Sequence, residues 1–197
     1  MFPPDETTPA MTALAELTDH YRWMARYNRW FNQRLFGAAA SLNDAERKRD
    51  RGAFFGSIHA TLNHIMVGDK IWLGRLRAQG APFDALPAEV VHLSEFRGLG
   101  MTLFDDFHAL CKHREAMDAA IEDMAAALSP EAVSRPMRYA NTQGHAREHP
   151  IWQALSHLFN HQTHHRGQVT TLLMQAGIDP GVTDLIALVN PPGAAVS

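Results

Sequence analysis

Residues 14–35 read LAELTDHYRWMARYNRWFNQRL. Leu14, Leu17, Tyr21, Met24, Asn28, Phe31 and Leu35 recur at alternating steps of three and four, which draws one stripe along an amphipathic helix of about 25–30 residues. Asn28 is the polar break in it. The same pattern recurs along the chain. A second helix is expected from about Gly56 to Gln79, opened by Ser57 and closed by Gly80 and Pro82. A third is signalled by Leu99, Leu103, Phe107, Leu110, Met117, Ile121, Met124 and Leu128, with Arg114 in the missing step and Ser129-Pro130 as its stop. The fourth opens with Pro150 as a first-turn residue and runs to Gly177, ahead of Asp179-Pro180-Gly181. Four long helices of similar length predict an all-α four-helix bundle.

The connections differ in character. SLNDAERKRDRG, residues 41–52, predicts one helical turn opened by Asn43, and residues 80–93 form a longer link. PMRYANTQGHAREH, residues 136–149, carries Gly144 and Tyr139 and reads as a small hairpin or an ordered loop beside the fourth helix. A short helix is expected from Val182 to Val189. Residues 1–9 and 191–197 read as flexible tails on a single domain spanning 1–197.

Composition removes several functions. The net charge of -3 over 197 residues gives no basic surface for phosphate backbones, so nucleic acid is excluded as a partner. No apolar run reaches the roughly 18 residues of a membrane span, and MFPPDETTPA is not a signal peptide, so the expected location is cytoplasmic and not membrane-bound. Cys111 is the single cysteine, which rules out an intrachain disulfide and leaves histidine and carboxylate as the donors for any metal.

The histidines are concentrated. Four of the chain's 12 fall in the segment LSHLFNHQTHHRGQV, at His157, His161, His164 and His165. On a helical wheel His165 lies within the arc of Ile151, Leu155, Leu158, Val169, Leu172, Leu173 and Ala176, and His161 lies about 40° further round. Spacing i, i+4 lets one helix offer two nitrogens to one metal, as in the zinc-protease helix, whose glutamate base is missing here. A third ligand is available from the second helix, at His59 or His64. Its main apolar face is Ile58, Leu62, Ile65, Trp72, Leu73 and Leu76, while His64 belongs to a second seam with Ala60, Val67 and Ile71. Periodicity permits either histidine. Asp69 falls in the main stripe, where a carboxylate should be paired, so an ion pair with an arginine is its first reading and a catalytic role its second. Arg166 and Gln168 read either as contacts for a substrate anion or as parts of an ion-pair or amide network.

The segments TLNHIMVGDKIWLGRL (61–76) and HLFNHQTHHRGQVTTLL (157–173), with RYNRWFNQRL (26–35) and RGAFFGSIHATL (51–62), resemble the DinB or YfiT-like metal-binding proteins over most of the chain. The resemblance implies an up-down-down-up four-helix bundle, often a homodimer, with one divalent metal ion between the helices. It assigns the ligands to His64, His161 and His165, and so selects His64 over His59. Zinc or nickel is the expected ion, with iron and copper also suited to three nitrogens. Three neutral ligands leave a position open, the mark of a catalytic site. The implied activity is that of a metal-dependent enzyme activating water or a low-molecular-weight thiol against a small-molecule substrate, of the thiol S-transferase or hydrolase type. The alternative is a non-catalytic metal-binding stress-response protein.

Overall fold

The computed structural model describes residues 9–188. Both expected tails, and the end of the expected helix at Val189, lie wholly or almost wholly outside them. The elements in chain order are α1 (Pro9–Ala40), α2 (Asp44–Lys48), α3 (Ile58–Arg77), α4 (Ala88–Val91), α5 (Phe107–Ala126), α6 (Pro130–Ser134), the strands β1 (Pro136–Ala140) and β2 (Ala146–Pro150), and α7 (Ile151–Gln175). Single 3-10 turns cover Phe83–Ala85 and Leu185–Leu188. The chain is thus mostly helical, with one two-stranded hairpin.

The stripes become the core. On α1, Tyr21, Phe31 and Leu35 are buried, and Leu14, Leu17 and Met24 pack on the edge of the same cluster. α1 lies against α5 and α7, and α3 lies chiefly against α7. That last pairing brings the two histidine-bearing helices together.

Local signals set the boundaries. The side chains of Asn43, Ser57, Asp106 and Ser129 accept from the backbone N–H three residues on, at Glu46, Ala60, Ala109 and Ala132. Gly80 and Gly177 take left-handed φ of 76° and 78° just past α3 and α7, where a side chain would be strained. Pro150 stands one residue outside α7, and the Ile151 N–H that opens the helix donates to the Arg135 carbonyl at 2.9 Å. The hairpin forms with Pro136 opposite Pro150 and Ala140 opposite Ala146, and Met137 anchors it in the core.

The third helix is shorter than its stripe predicted. Leu99 and Leu103 precede α5, in a non-helical segment broken by Gly98, whose φ is 116°. The Asp106 cap starts the helix only at Phe107. Leu103 still packs on the core, so its spacing reported burial without helix.

A polar network crosses the interior. Asp69 on α3 accepts from Arg114 of α5 and, at 2.9 Å, from Gln162 of α7. Arg114 also pairs with Asp118 at 2.9 Å. Asp118 accepts from Asn28 and Asn32 of α1, both at 2.8 Å, and Asn28 accepts from Arg166 of α7 at 2.7 Å. Arg166 is fully buried with its guanidinium 4.7 Å from the Phe31 ring centre, and burial lowers its pKa to about 10. Asn28, Arg114 and Asp69, the three polar interruptions of the stripes, are therefore one connected system. Its two aspartates are paired with Arg114, which spares them the several kcal/mol of an isolated buried charge, and the network joins all four long helices.

Candidate metal centre

His64 comes from the middle of α3, and His161 and His165 come from successive turns of α7. Their Nε2 atoms face each other. His64 Nε2 is 3.1 Å from that of His161 and 3.0 Å from that of His165. The three ligand atoms all lie within 4.8 Å of one another. His64 and His165 are 3% and 8% exposed, while His161 is half-buried.

The far side of two rings fixes their tautomers. His64 Nδ1 donates to the Leu99 carbonyl at 2.8 Å, and His165 Nδ1 donates to Gln168 Oε1 at 2.8 Å. A neutral imidazole that donates through Nδ1 carries a lone pair on Nε2. Two such lone pairs at 3.0 Å repel unless an electron-pair acceptor stands between them. Tetrahedral coordination with metal–nitrogen bonds of about 2.0–2.1 Å places nitrogens about 3.3–3.4 Å apart, so the two separations at His64 need only a few tenths of an ångström of outward adjustment to admit a divalent ion. The set contains no carboxylate. It would leave an ion its full charge.

Electrostatics act in the same direction. Burial, reinforced by the neighbouring imidazoles, pushes the His161 pKa down to about 3. Burial also lowers His64, against the opposing hydrogen bond to Leu99, and His165, against that to Gln168. All three shifts favour the neutral ring, the form in which an imidazole can coordinate a metal.

Packing holds the rings in place. Phe55 stacks on His64 with centroids 3.8 Å apart and planes at 19°, and meets His165 edge-on at 5.5 Å. Opposite, the ring of His161 lies directly on the α3 backbone at Gly68. A Cβ at Gly68 would come 2.5 Å from His161 Cε1, so glycine is the residue that admits this approach. Asn63 secures the segment that supplies the Leu99 carbonyl. Its Oδ1 accepts from the Leu103 and Phe104 N–H groups at 2.8 and 2.9 Å.

The remaining polar residues fall elsewhere. His59 points to the Phe104 carbonyl at 2.9 Å and takes no part in the cluster. His157 is exposed, with its ring 4.6 Å from Trp72 and 5.8 Å from His161, and His164 is exposed beside Gln168. Asp69 has its arginine in Arg114. Arg166 belongs to the interior network and not to a substrate contact, and Gln168 orients His165. Gly68, Phe55, Asn63 and the Leu99 carbonyl were not among the site residues expected from the sequence. Gly68 did leave a signal, since a mid-helix glycine four residues after a histidine costs about 1 kcal/mol against alanine and needs a packing reason. A loop carbonyl leaves none.

The model of the DinB family matches residues 15–192. The chain belongs to the DinB family. It is similar to Protein DinB of Bacillus subtilis (strain 168), with 24% identity over 166 residues that cover 80% of this chain and 87% of that protein. No solved structure matches it. Both histidine-bearing helices of this DinB-family chain lie inside the matched region. Among the described residues no helix is long and apolar enough to cross a membrane.

Proposed function

We propose that His64, His161 and His165 bind one divalent metal ion through Nε2, and that the chain is a metal-dependent enzyme of the thiol S-transferase or hydrolase type. The observation that carries the reading is the convergence of three Nε2 atoms, two of them stripped of their proton by acceptors behind the rings. Zinc or nickel suits such neutral nitrogen donors first, with iron or copper next. The up-down-down-up order of the bundle, a single domain over 1–197, a homodimeric state, a cytoplasmic location and a small-molecule thiol partner belong to the same proposal.

A divalent ion held there supplies a Lewis acid that favours the deprotonated form of a water or thiol beside it. The chain's own residues supply the rest. The Leu99 carbonyl and Gln168 fix the orientation and raise the basicity of His64 and His165. Phe55 shields one face of His64 from solvent.

Elemental analysis of untagged protein is expected to give about one divalent ion per chain, and His161→Ala or His165→Ala to abolish it. Full stoichiometry in either variant would overturn the ligand set. Metal-loaded protein should then turn over a reactive aryl halide or epoxide, with a supplied thiol for a transferase and with water alone for a hydrolase. Metal binding without thiol-dependent turnover would leave the ligand set standing and refute the transferase reading.

A further inference from the structure

A second site lies away from the histidines, in a cleft of about 710 Å³ between the C-terminal half of α3, the α4 segment and β1. Its lining carries four cationic side chains, Lys70, Arg75, Arg77 and Arg138, against one carboxylate, Glu89. The chain as a whole is negative, at -3. Positive charge has been concentrated here.

A helix C-terminus attracts cations by itself. That accounts for the placing of Arg75 and Arg77, both in the last turn of α3, and Arg77 Nε also donates to the Leu86 carbonyl at 3.0 Å. It does not account for Lys70, two turns back from the end of α3, or for Arg138, which comes from the hairpin and pairs across it with Glu148 at 2.7 Å. Lys70 is only 6% exposed, and its ammonium is held by the carbonyls of Val90 and His92. Among the described residues neither Lys70 nor Arg75 has a carboxylate within ion-pair distance; every ion pair there involves other cations. A buried ammonium that meets only neutral acceptors is short of counter-charge. Its third N–H bond remains for a ligand.

Arg75 is prepared in a different way. Its guanidinium lies 4.8 Å from the Trp72 ring centre and 4.6 Å from that of Tyr139, which holds the planar fork in place. Its polar contact is a long one, 3.4 Å to the Ala140 carbonyl. A fixed guanidinium with free N–H groups suits a carboxylate or phosphate, with its two-pronged geometry. Between the cations the surface is apolar, formed by Ile71, Gly74, Ala78 and Val91.

We propose that this cleft binds a small organic anion, with its carboxylate or phosphate at Lys70 and Arg75 and its apolar body along Ile71 and Val91. The site stands without the histidine centre, since none of its lining residues belongs to the histidine cluster.

The test uses the full chain, titrated with 3-phenylpropionate, phenyl phosphate and the neutral 3-phenylpropanamide, followed by calorimetry and by backbone amide shifts. At least one of the two anions should bind and shift the signals of residues 70–79 and 138–140, and the stronger of the two identifies the head group. The amide should bind at least tenfold more weakly. Arg75→Gln should weaken the anion at least tenfold. Because that variant also removes packing on Trp72 and Tyr139, Ala140→Glu is the companion: it adds a carboxylate at an exposed rim position and should repel the anion without disturbing the fold. Equal affinity for acid and amide, wild-type affinity in the folded variants, shifts confined to other regions, or no binding of either anion at millimolar concentration would each overturn the proposal.

Discussion

Gly68→Ala separates the proposed metal site from the fold. The added methyl would lie 2.5 Å from His161 Cε1, 3.1 Å from Nδ1 and 3.3 Å from Nε2, whereas ordinary contact begins at 3.4 Å. The ring must therefore retreat by about 1 Å, since carbon pairs settle near 3.5–4.0 Å. It is able to, because His161 is half-buried and its Nδ1 has no hydrogen-bond partner to hold it. Metal–ligand distances tolerate only about ±0.2 Å, so a shift of this size removes one nitrogen of three. Affinity should fall by at least ~100-fold, the upper end of what losing an outer-sphere partner costs. The helix itself should gain, because alanine in a helix interior is favoured over glycine by about 1 kcal/mol. Gly167→Ala is the matched control, since nothing lies within 4 Å of its new methyl. It should keep full metal affinity and raise Tm by about 2–4 °C, as about 1 kcal/mol does in a chain of this size. Metal titration by calorimetry, with melts of the metal-free proteins, reads both effects. Wild-type affinity in Gly68→Ala would refute His161 as a ligand held against that backbone.

Three further outcomes are expected. Asp69→Asn removes one partner from the buried network of Arg114 and Gln162 and should destabilise by about 3–5 kcal/mol in urea unfolding, a loss that a surface substitution would not give. His59→Ala should leave metal stoichiometry and affinity unchanged while costing about 1 kcal/mol through its hydrogen bond to Phe104; loss of metal in that variant would move the ligand role to His59. In metal-free protein the unfolded histidines take up protons near pH 6.5, but folded His161 does so only at about pH 3 and His64 and His165 also do so below their ordinary value, so stability should hold above about pH 6.5 and decline as pH falls from there. Urea midpoints that stay flat from pH 7 to pH 4 would refute the neutral, buried state of these rings.

The sequence showed the helices clearly because each of them buries one continuous face, and that face repeats every three or four residues. Leu99 and Leu103 misled for the same reason: a loop residue that packs on the core fits the stripe, and only Gly98 and the Asp106 cap mark it as non-helical. In the histidine cluster, angular position placed His165 within the apolar arc of α7 and His161 on its edge, one turn away, but left His59 and His64 open on α3. What separates them in space is tertiary. His59 turns to the loop carbonyl of Phe104, and His64 turns to α7. Arg166 was ambiguous because an arginine next to a histidine run looks the same whether it faces a substrate or, as here, the side chain of Asn28 on another helix. Pairings between residues 138 positions apart leave no local trace.

On α7 the two faces are written one residue out of phase. His161 and His165 serve the centre, and the residues that follow each of them, Gln162 and Arg166, serve the interior network. Deleting a single residue from the first turns of that helix would rotate everything before the deletion by about 100° relative to everything after it. A chain that kept its N-terminal half docked would then present glutamine and arginine where the imidazoles stand, with charge in place of lone pairs. Drift in length should therefore be confined to the connections, and the long helices of functional relatives should align without gaps between these positions even where almost every other residue has changed.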